Sequence, residues 1–264
     1  DARLAARWPR YSTMAADEAT LATIESRAKA LEQGALPEST PQAFPKPLIL
    51  NVSGLPTAPD LTLLCYDTGG ESFQSGSQVA KYARFVQNAS TVLFLLSIPD
   101  LVKSQENLGR EALKLLEIYC HGVAQLAVGE ARSERGSTQN LVVVLTKADE
   151  INGRLTPPEE LRDYLSRPLE DQQDEMLHRR RYMARLRRNS KIIRKYLRDA
   201  DATQFINAAE QNFDHVAYVM VSALGTSPTK DRMAVNLKPR RVLDPLLVAL
   251  RPKPSLMGRL LGLA

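Results

Sequence analysis

Residues 141–149 have the sequence Leu-Val-Val-Val-Leu-Thr-Lys-Ala-Asp, and this stretch indicates the fold of the chain. Its first five residues are apolar and three of them are β-branched, a pattern typical of a strand buried on both faces of a parallel α/β sheet. The polar residues Thr146, Lys147 and Asp149 follow directly, so we expect them at the carboxyl edge of that sheet. Open α/β sheets bind their ligands in the crevice beyond this edge. The stretch therefore predicts a ligand site at the end of a buried strand.

The residue types at this strand end suit a guanine base. A carboxylate at Asp149 can accept two parallel hydrogen bonds, from the N1–H and the exocyclic amine of guanine, and adenine offers no such pair of donors. Lys147 can lay its aliphatic stem over the base plane while its ammonium group stays in water. Thr146, Lys147 and Asp149 are therefore candidate residues for binding a guanine nucleotide.

Two other strand-like runs end in residues whose chemistry also suits a guanine nucleotide. The run 61–66 is followed by Asp-Thr-Gly-Gly-Glu at 67–71, where Asp67 suits a magnesium ion and Gly70 lets a backbone N–H approach a terminal phosphate. The run 216–221 is followed by small residues whose backbone amides can reach the guanine carbonyl. These are Ser222, Ala223 and Leu224.

The composition is that of an ordinary globular protein, with 44% apolar and 25% charged residues, and 264 residues suffice for one large α/β domain or a domain with a small insertion. The longest apolar runs, such as Val92–Leu96, are too short to span a bilayer.

We expect Cys65, in a strand, and Cys120, in an apolar helix, to be packing residues without a structural disulfide. This cysteine usage fits a reducing cytoplasm.

Strand-like and helical patterns alternate along the chain, which predicts a mostly parallel sheet with helices on both faces. An antiparallel hairpin is expected from segments 47–52 and 61–66, and another buried strand at 91–98. Helices are predicted over residues 1–10, 15–33, 77–88, 107–128, 202–213 and 242–250.

About sixty-five residues separate Asp149 from the last strand, more than a simple crossover needs, so we expect a helical insertion over about residues 155–212. No acidic residue occurs between Met176 and Arg198. Apolar residues recur there at helical spacing and would dock one stripe of a helix on the body, leaving a basic face. That face is either a solvated surface or a surface for an anionic membrane, a nucleic acid or an acidic protein partner.

The ordered set strand-Asp-x-x-Gly, strand-Thr-Lys-x-Asp and strand-Ser-Ala-Leu resembles the P-loop GTPases of the translation-factor-related (TRAFAC) class. Within that class, the chain resembles the bacterial double-GTPase domains, multidomain proteins linked to conflict or defence systems. The narrower resemblance rests on a Leu-Pro-x-x-Thr loop ending at Thr40, on 67–71 and 146–149, and on the basic insertion followed by 213–216, 222–225 and 241–247. It covers roughly residues 1–250 and leaves 251–264 as a linker or tail.

The resemblance implies a P-loop NTPase-like three-layer sandwich that binds and hydrolyses GTP with Mg²⁺. Thr40 and Asp67 would hold the magnesium ion, Gly70 would sense the γ-phosphate, and Glu71 would position the attacking water; Thr40 also fits an ordinary loop threonine. Many small GTPases carry a glutamine where Glu71 stands, and a carboxylate is poorly placed beside a polyphosphate, so slow or partner-dependent hydrolysis is expected. Two functions remain open: a GTP-hydrolysing switch, and a GTPase-like module with little turnover that binds a partner or an anionic surface through its basic insertion.

The motif Gly-x-x-x-x-Gly-Lys-Ser/Thr, which wraps the β-phosphate in P-loop proteins, does not occur in the sequence. Residues 2–8 resemble the end of the helix that follows this loop, which favours a segment of a longer chain, and a protein that never had the loop is the other explanation. The resemblance also implies a first strand between the strands that end at Asp67 and near Asp100. Without that strand we expect a gap in the sheet.

Overall fold

The computed structural model describes residues 8–35, 46–55, 59–67, 75–82, 84–99, 109–128, 139–150, 157–167, 178–225 and 238–250. Within these ranges the strands are β1 (Ser12–Ala15), β2 (Leu48–Ser53), β3 (Leu61–Cys65), β4 (Thr91–Ser97), β5 (Asn140–Thr146) and β6 (His215–Met220). The helices are α1 (Glu18–Glu32), α2 (Gly76–Tyr82), α3 (Arg110–Val128), α4 (Glu159–Ser166), α5 (Arg179–Asp199), α6 (Thr203–Asn212) and α7 (Asp244–Ala249). The predicted α/β class is confirmed.

Strands β4, β5 and β6 form a parallel sheet in which β5 is the middle strand. All five residues from Leu141 to Leu145 are at most 3% exposed, which confirms the prediction of a strand buried on both faces. Successive side chains of a strand point to opposite faces of the sheet, so alternate residues of β5 lie in two different cores. Leu141, Val143 and Leu145 belong to the main core, and Val142 and Val144 pack with Val219 and Val221 of the other core.

Helices connect the parallel strands, as the alternating sequence pattern predicts. Helix α3 lies between β4 and β5, and helices α4, α5 and α6 lie between β5 and β6. Leu116 and Tyr119 of α3 and Phe205 and Ile206 of α6 are buried in the main core. In the described part of the chain, no helix is both long enough and apolar enough to cross a membrane.

Strands β1, β2 and β3 form a second sheet, which is antiparallel. The predicted hairpin is confirmed: β2 pairs with β3, with Leu50 opposite Leu63. Within the described ranges, β3 pairs with β2 and β4 pairs with β5, and no strand lies beyond either of them. The ring of Tyr66, just after β3, stacks at 4.0 Å on Phe85, in the 3₁₀ turn that precedes β4.

The structure corrects two predictions near the start of the chain. The helix expected to begin at Ala15 begins instead at Glu18, because Asp17 is extended and its side chain accepts a hydrogen bond from the Thr20 N–H at 2.6 Å, as an N-cap does. The preceding residues 12–15 form β1, which sequence analysis did not predict. Residues 8–10 form a turn closed by the Tyr11 N–H on the Trp8 carbonyl, so the helix predicted over 1–10 is wrong there, and 1–7 lie outside the described residues.

Helix α1 ends at Glu32, one residue before the predicted end, and Gly34 follows at φ +71°, the left-handed conformation common after a helix C-terminus. Its apolar residues Leu21, Ile24 and Leu31 are nevertheless exposed. The residue that packs inward is Thr20, whose hydroxyl accepts a hydrogen bond from the Ile49 N–H at 3.1 Å. Helical spacing of apolar residues therefore predicted the helix correctly but not its buried side.

The described residues of the predicted insertion before β6 are largely helical, and α5 docks through one stripe. Tyr182, Leu186, Ile193 and Leu197 are all buried. Arg194 on α5 donates two hydrogen bonds to the Glu210 carboxylate on α6, at 2.5 and 2.6 Å. The two helices of the insertion are therefore joined by an ion pair at their edge.

This ion pair predicts a pH-dependent contribution to stability. Hydrogen bonds from Arg194 lower the pKa of Glu210 below its ordinary value, so the contribution is present above that ordinary pKa and is lost as the pH falls through the lowered one. Because the pair is about one-third exposed, Glu210→Gln should lower the free energy of unfolding at pH 7 by less than about 1 kcal/mol. Urea unfolding at pH 7 and at about pH 3.5 measures this, with Glu160→Gln on α4 as the control. A cost that persists undiminished at the lower pH would contradict the assignment.

Candidate functional site

The carboxyl end of β5 turns sharply away from the sheet. Thr146 donates a side-chain hydrogen bond to the Leu96 carbonyl at 3.3 Å, which ties this end to β4. Lys147 has φ +56°, in the left-handed region, at a cost of about 1 kcal/mol for a residue other than glycine. A 3₁₀ turn over Ala148–Glu150 follows, in which the Glu150 N–H bonds to the Lys147 carbonyl at 2.9 Å. The turn leaves the side chains of Lys147 and Asp149 exposed at the sheet edge.

The ends of β5 and β6 are held together by backbone hydrogen bonds that continue past the strands. The Val221 N–H donates to the Leu145 carbonyl at 2.8 Å, and the Ala148 N–H donates to the Val221 carbonyl at 3.1 Å. Residues 146–149 and 222–225 are therefore brought to the same place, as expected for neighbouring parallel strands.

Ser222 and Asp149 make a direct contact at this place. The buried Ser222 hydroxyl donates a hydrogen bond to Oδ1 of Asp149 and accepts one from the Gly225 N–H at 2.8 Å. An ionised carboxylate accepts at about four lone-pair positions, so this one bond fixes the orientation of Asp149 and leaves acceptor capacity on an exposed group. Ala223 and Leu224 directly follow Ser222 in the sequence; Ala223 is exposed and Leu224 is half-buried.

A short segment at residues 238–240, here called the strap, holds the 222–225 loop from the other side. Ser222 and Arg240 exchange two backbone hydrogen bonds, at 3.0 and 2.7 Å, and the Lys238 N–H donates to the Leu224 carbonyl at 2.9 Å. Gly225 has φ +77°, and a Cβ there would lie 2.2 Å from the Lys238 carbonyl oxygen. The loop therefore requires a glycine at 225, both for its backbone conformation and for the approach of the strap.

The residue after the strap anchors it in the protein interior. Arg241 and Asp244 are both 0% exposed, and the Arg241 guanidinium donates to both carboxylate oxygens, at 2.9 and 3.2 Å. The Tyr182 hydroxyl also donates to Asp244, and the guanidinium lies 4.0 Å from the centre of the Tyr164 ring. Burial raises the pKa of Asp244, and the guanidinium opposes this because it favours the charged carboxylate. The pair connects α7 with α4 and α5 of the insertion.

The sequence pattern predicts neither the strap nor the burial of this pair, because arginine and aspartate ordinarily indicate a surface. Residues 241–247 contribute only to the family resemblance. Pro245 at the first turn of a helix indicates where α7 begins. Arg241 lies before that helix with φ +58°, so helical spacing does not predict its pairing with Asp244.

The remaining predicted site residues are not brought to this contact in the described structure. Asp67 follows β3 and lies 3.7 Å from Arg27 of α1, with both side chains 59% exposed. Thr40, Gly70 and Glu71 lie outside the described residues. Within the described ranges, no three acidic, histidine or cysteine side chains are close enough together to hold a metal ion. The magnesium site at Asp67 and Thr40 therefore stays a prediction.

Comparison of the chain with protein-family models, with curated proteins and with solved structures finds no match.

Proposed function

We propose that the chain is a guanine-nucleotide-binding domain of P-loop NTPase-like, three-layer architecture that hydrolyses GTP as a molecular switch. The observation that carries the proposal is the contact between Asp149 and Ser222 at the carboxyl edge of the parallel sheet. A buried hydroxyl that holds an exposed carboxylate at this edge is an arrangement suited to recognising a ligand, since open α/β sheets bind ligands there.

Guanine fits this arrangement because of its donors. With one lone pair of Asp149 engaged by Ser222, the carboxylate can still accept from the N1–H and the exocyclic amine of the base. Thr146 fixes the end of the strand, Lys147 supplies an aliphatic stem for the base plane, and backbone amides at 223 and 224 are candidates for donating to the guanine carbonyl.

The phosphate end of the nucleotide would lie with the residues after β3. Asp67 would hold Mg²⁺ together with Thr40, Gly70 would contact the γ-phosphate, and Glu71 would position water. A single exposed carboxylate suits Mg²⁺, which keeps several waters and takes one or two protein carboxylates. The cation would assist hydrolysis by neutralising charge that develops on the phosphates.

The edges of the two sheets support a P-loop-like architecture. Leu93 and Leu95 point to one face of β4 and are 43% and 64% exposed, and Leu64 on β3 is 53% exposed. Large exposed apolar side chains on the strands at a sheet edge favour an arrangement in which another strand and a helix cover them. We propose that a further strand lies between β3 and β4, followed by a glycine-rich phosphate loop and by a helix over Leu93 and Leu95.

The test of the proposed function is nucleotide selectivity in the intact natural protein with Mg²⁺. Two hydrogen bonds to a charged acceptor are worth about 1.5–3 kcal/mol each, so GTP should bind at least about 100-fold more tightly than ATP. Fluorescent GTP and ATP analogues measure both affinities, and phosphate release measures turnover. Equal affinities would remove the basis for assigning Asp149 to guanine, and binding without phosphate release would favour the module with little turnover.

A further inference from the structure

Helix α5 carries a row of exposed cations opposite its buried stripe. The row, here called the basic row, consists of Arg180, Arg187, Arg188, Lys191, Lys195 and Arg198. Residues 180, 187, 191 and 198 follow one line along the helix, and 188 and 195 lie next to it, because positions three, four and seven apart share a helix face. From Arg180 to Arg198 the row extends for about 27 Å, at 1.5 Å per residue.

Among the residues that the structure describes, little counter-charge lies beside the basic row. No acidic residue occurs from 176 to 198, and Asp199 follows only at the last residue of the helix. Glu210, from the adjacent helix α6, is paired with Arg194, which is not a member of the row, and it also interacts electrostatically with Arg198 at one end of the row. Six cations on one exposed face create a positive potential that a polyanion would neutralise.

The structure does not favour a lipid surface as the occupant. Helices that lie in a membrane interface bury an apolar face among the acyl chains. The large apolar side chains of α5 are instead buried or half-buried against the protein, and the exposed large apolar residues of the described chain all lie on other elements. The basic row therefore offers charge without an apolar face beside it.

We propose that the basic row binds the phosphate backbone of double-stranded nucleic acid without reading its sequence. Four of its six members are arginines, which match phosphate geometry with paired donors. A length of about 27 Å corresponds to about eight base pairs at 3.4 Å each. The aromatic residues of α5, Tyr182 and Tyr196, are buried, so the helix cannot stack bases of a single strand, and its amide residue Asn189 is buried and cannot read base edges.

The test compares salt dependence of binding between the intact protein and two charge variants. Six phosphate contacts predict that affinity for a 30-base-pair DNA duplex falls about 10³-fold between 50 and 200 mM salt. The variant Arg180→Gln/Arg187→Gln/Lys191→Gln/Arg198→Gln should lose only about tenfold over the same range, because about two contacts remain. The control Lys29→Gln/Lys46→Gln/Arg110→Gln/Lys114→Gln removes four exposed cations elsewhere and should keep the steep dependence.

Fluorescence anisotropy of the labelled duplex gives the affinities, and circular dichroism checks that the variants fold. Retention of the steep salt dependence in the control and its loss in the row variant would support the proposal. Equal loss in both variants, no duplex binding at 50 mM salt, or binding to vesicles containing phosphatidylserine but not to the duplex would each overturn it. The proposal is independent of the nucleotide site, because neither variant changes residues 146–149 or 222–225.

Discussion

Asp149→Asn should convert the protein from a preference for guanine nucleotides to a preference for xanthine nucleotides. An asparagine side chain presents one acceptor and one donor, which match the N1–H and the C2 carbonyl of xanthine. In guanine the C2 substituent is an amine, which is itself a donor, so the asparagine donor has no acceptor there. With the charged acceptor lost, affinity for GTP should fall at least about 100-fold, equivalent to about 2.7 kcal/mol. Competition between GTP and XTP for a fluorescent nucleotide on the intact protein measures both changes.

The matched control is Asp214→Asn, since Asp214 is an exposed aspartate that directly precedes β6 and thus lies at the opposite edge of the sheet. It should leave the ratio of GTP to XTP affinity unchanged. If Asp149→Asn also leaves the ratio unchanged while the protein stays folded, Asp149 does not read the base, and the contact with Ser222 is structural only.

Arg241→Met should cost about 3–5 kcal/mol of the free energy of unfolding, the range expected when one partner of a buried ion pair is removed and the other is left charged. Arg241 and Asp244 are fully buried, so water cannot replace the lost guanidinium. A loss of this size is a large part of a typical total of about 5–15 kcal/mol. Chemical denaturation, followed by circular dichroism, measures it.

The double variant Arg241→Met/Asp244→Leu separates the charge effect from packing. Replacing both partners by apolar residues should recover part of the stability, because no uncompensated charge stays buried, while the loss of the Tyr182–Asp244 hydrogen bond keeps the recovery incomplete. Arg198→Met, in the exposed basic row, is the surface control and should change the free energy of unfolding by less than about 0.5 kcal/mol. A cost below about 1 kcal/mol for Arg241→Met alone would contradict the role given to the pair.

Much of the parallel sheet could be predicted from sequence because its pattern is strong and local. Five consecutive apolar residues in β5 indicate a strand buried on both faces. The apolar stripe of α5 indicates a helix that packs on the protein through one side. The meeting of Asp149 with the 222–225 loop followed from topology, since adjacent parallel strands end at the same edge. These are features that periodicity and strand direction determine together.

Other features depend on tertiary contacts that leave little trace in the sequence. Strand β1, with the sequence Ser-Thr-Met-Ala, has no apolar alternation and is a strand because β2 offers it an edge. The strap at 238–240 pairs with Ser222 alone and forms no regular element. Charged residues such as Arg241 give no local indication that they are buried. Pattern analysis misses such positions because their environment comes from distant parts of the chain.

On its side away from β5, β4 pairs with no other strand of the described ranges, and this affects how the molecule behaves in concentrated solution. With Leu93 and Leu95 exposed on one of its faces, such an edge is a template on which a second copy can pair edge to edge. Such association is second order in protein concentration, and it grows by the same hydrogen bonds that build a sheet. A segment that covered this edge would therefore limit such association.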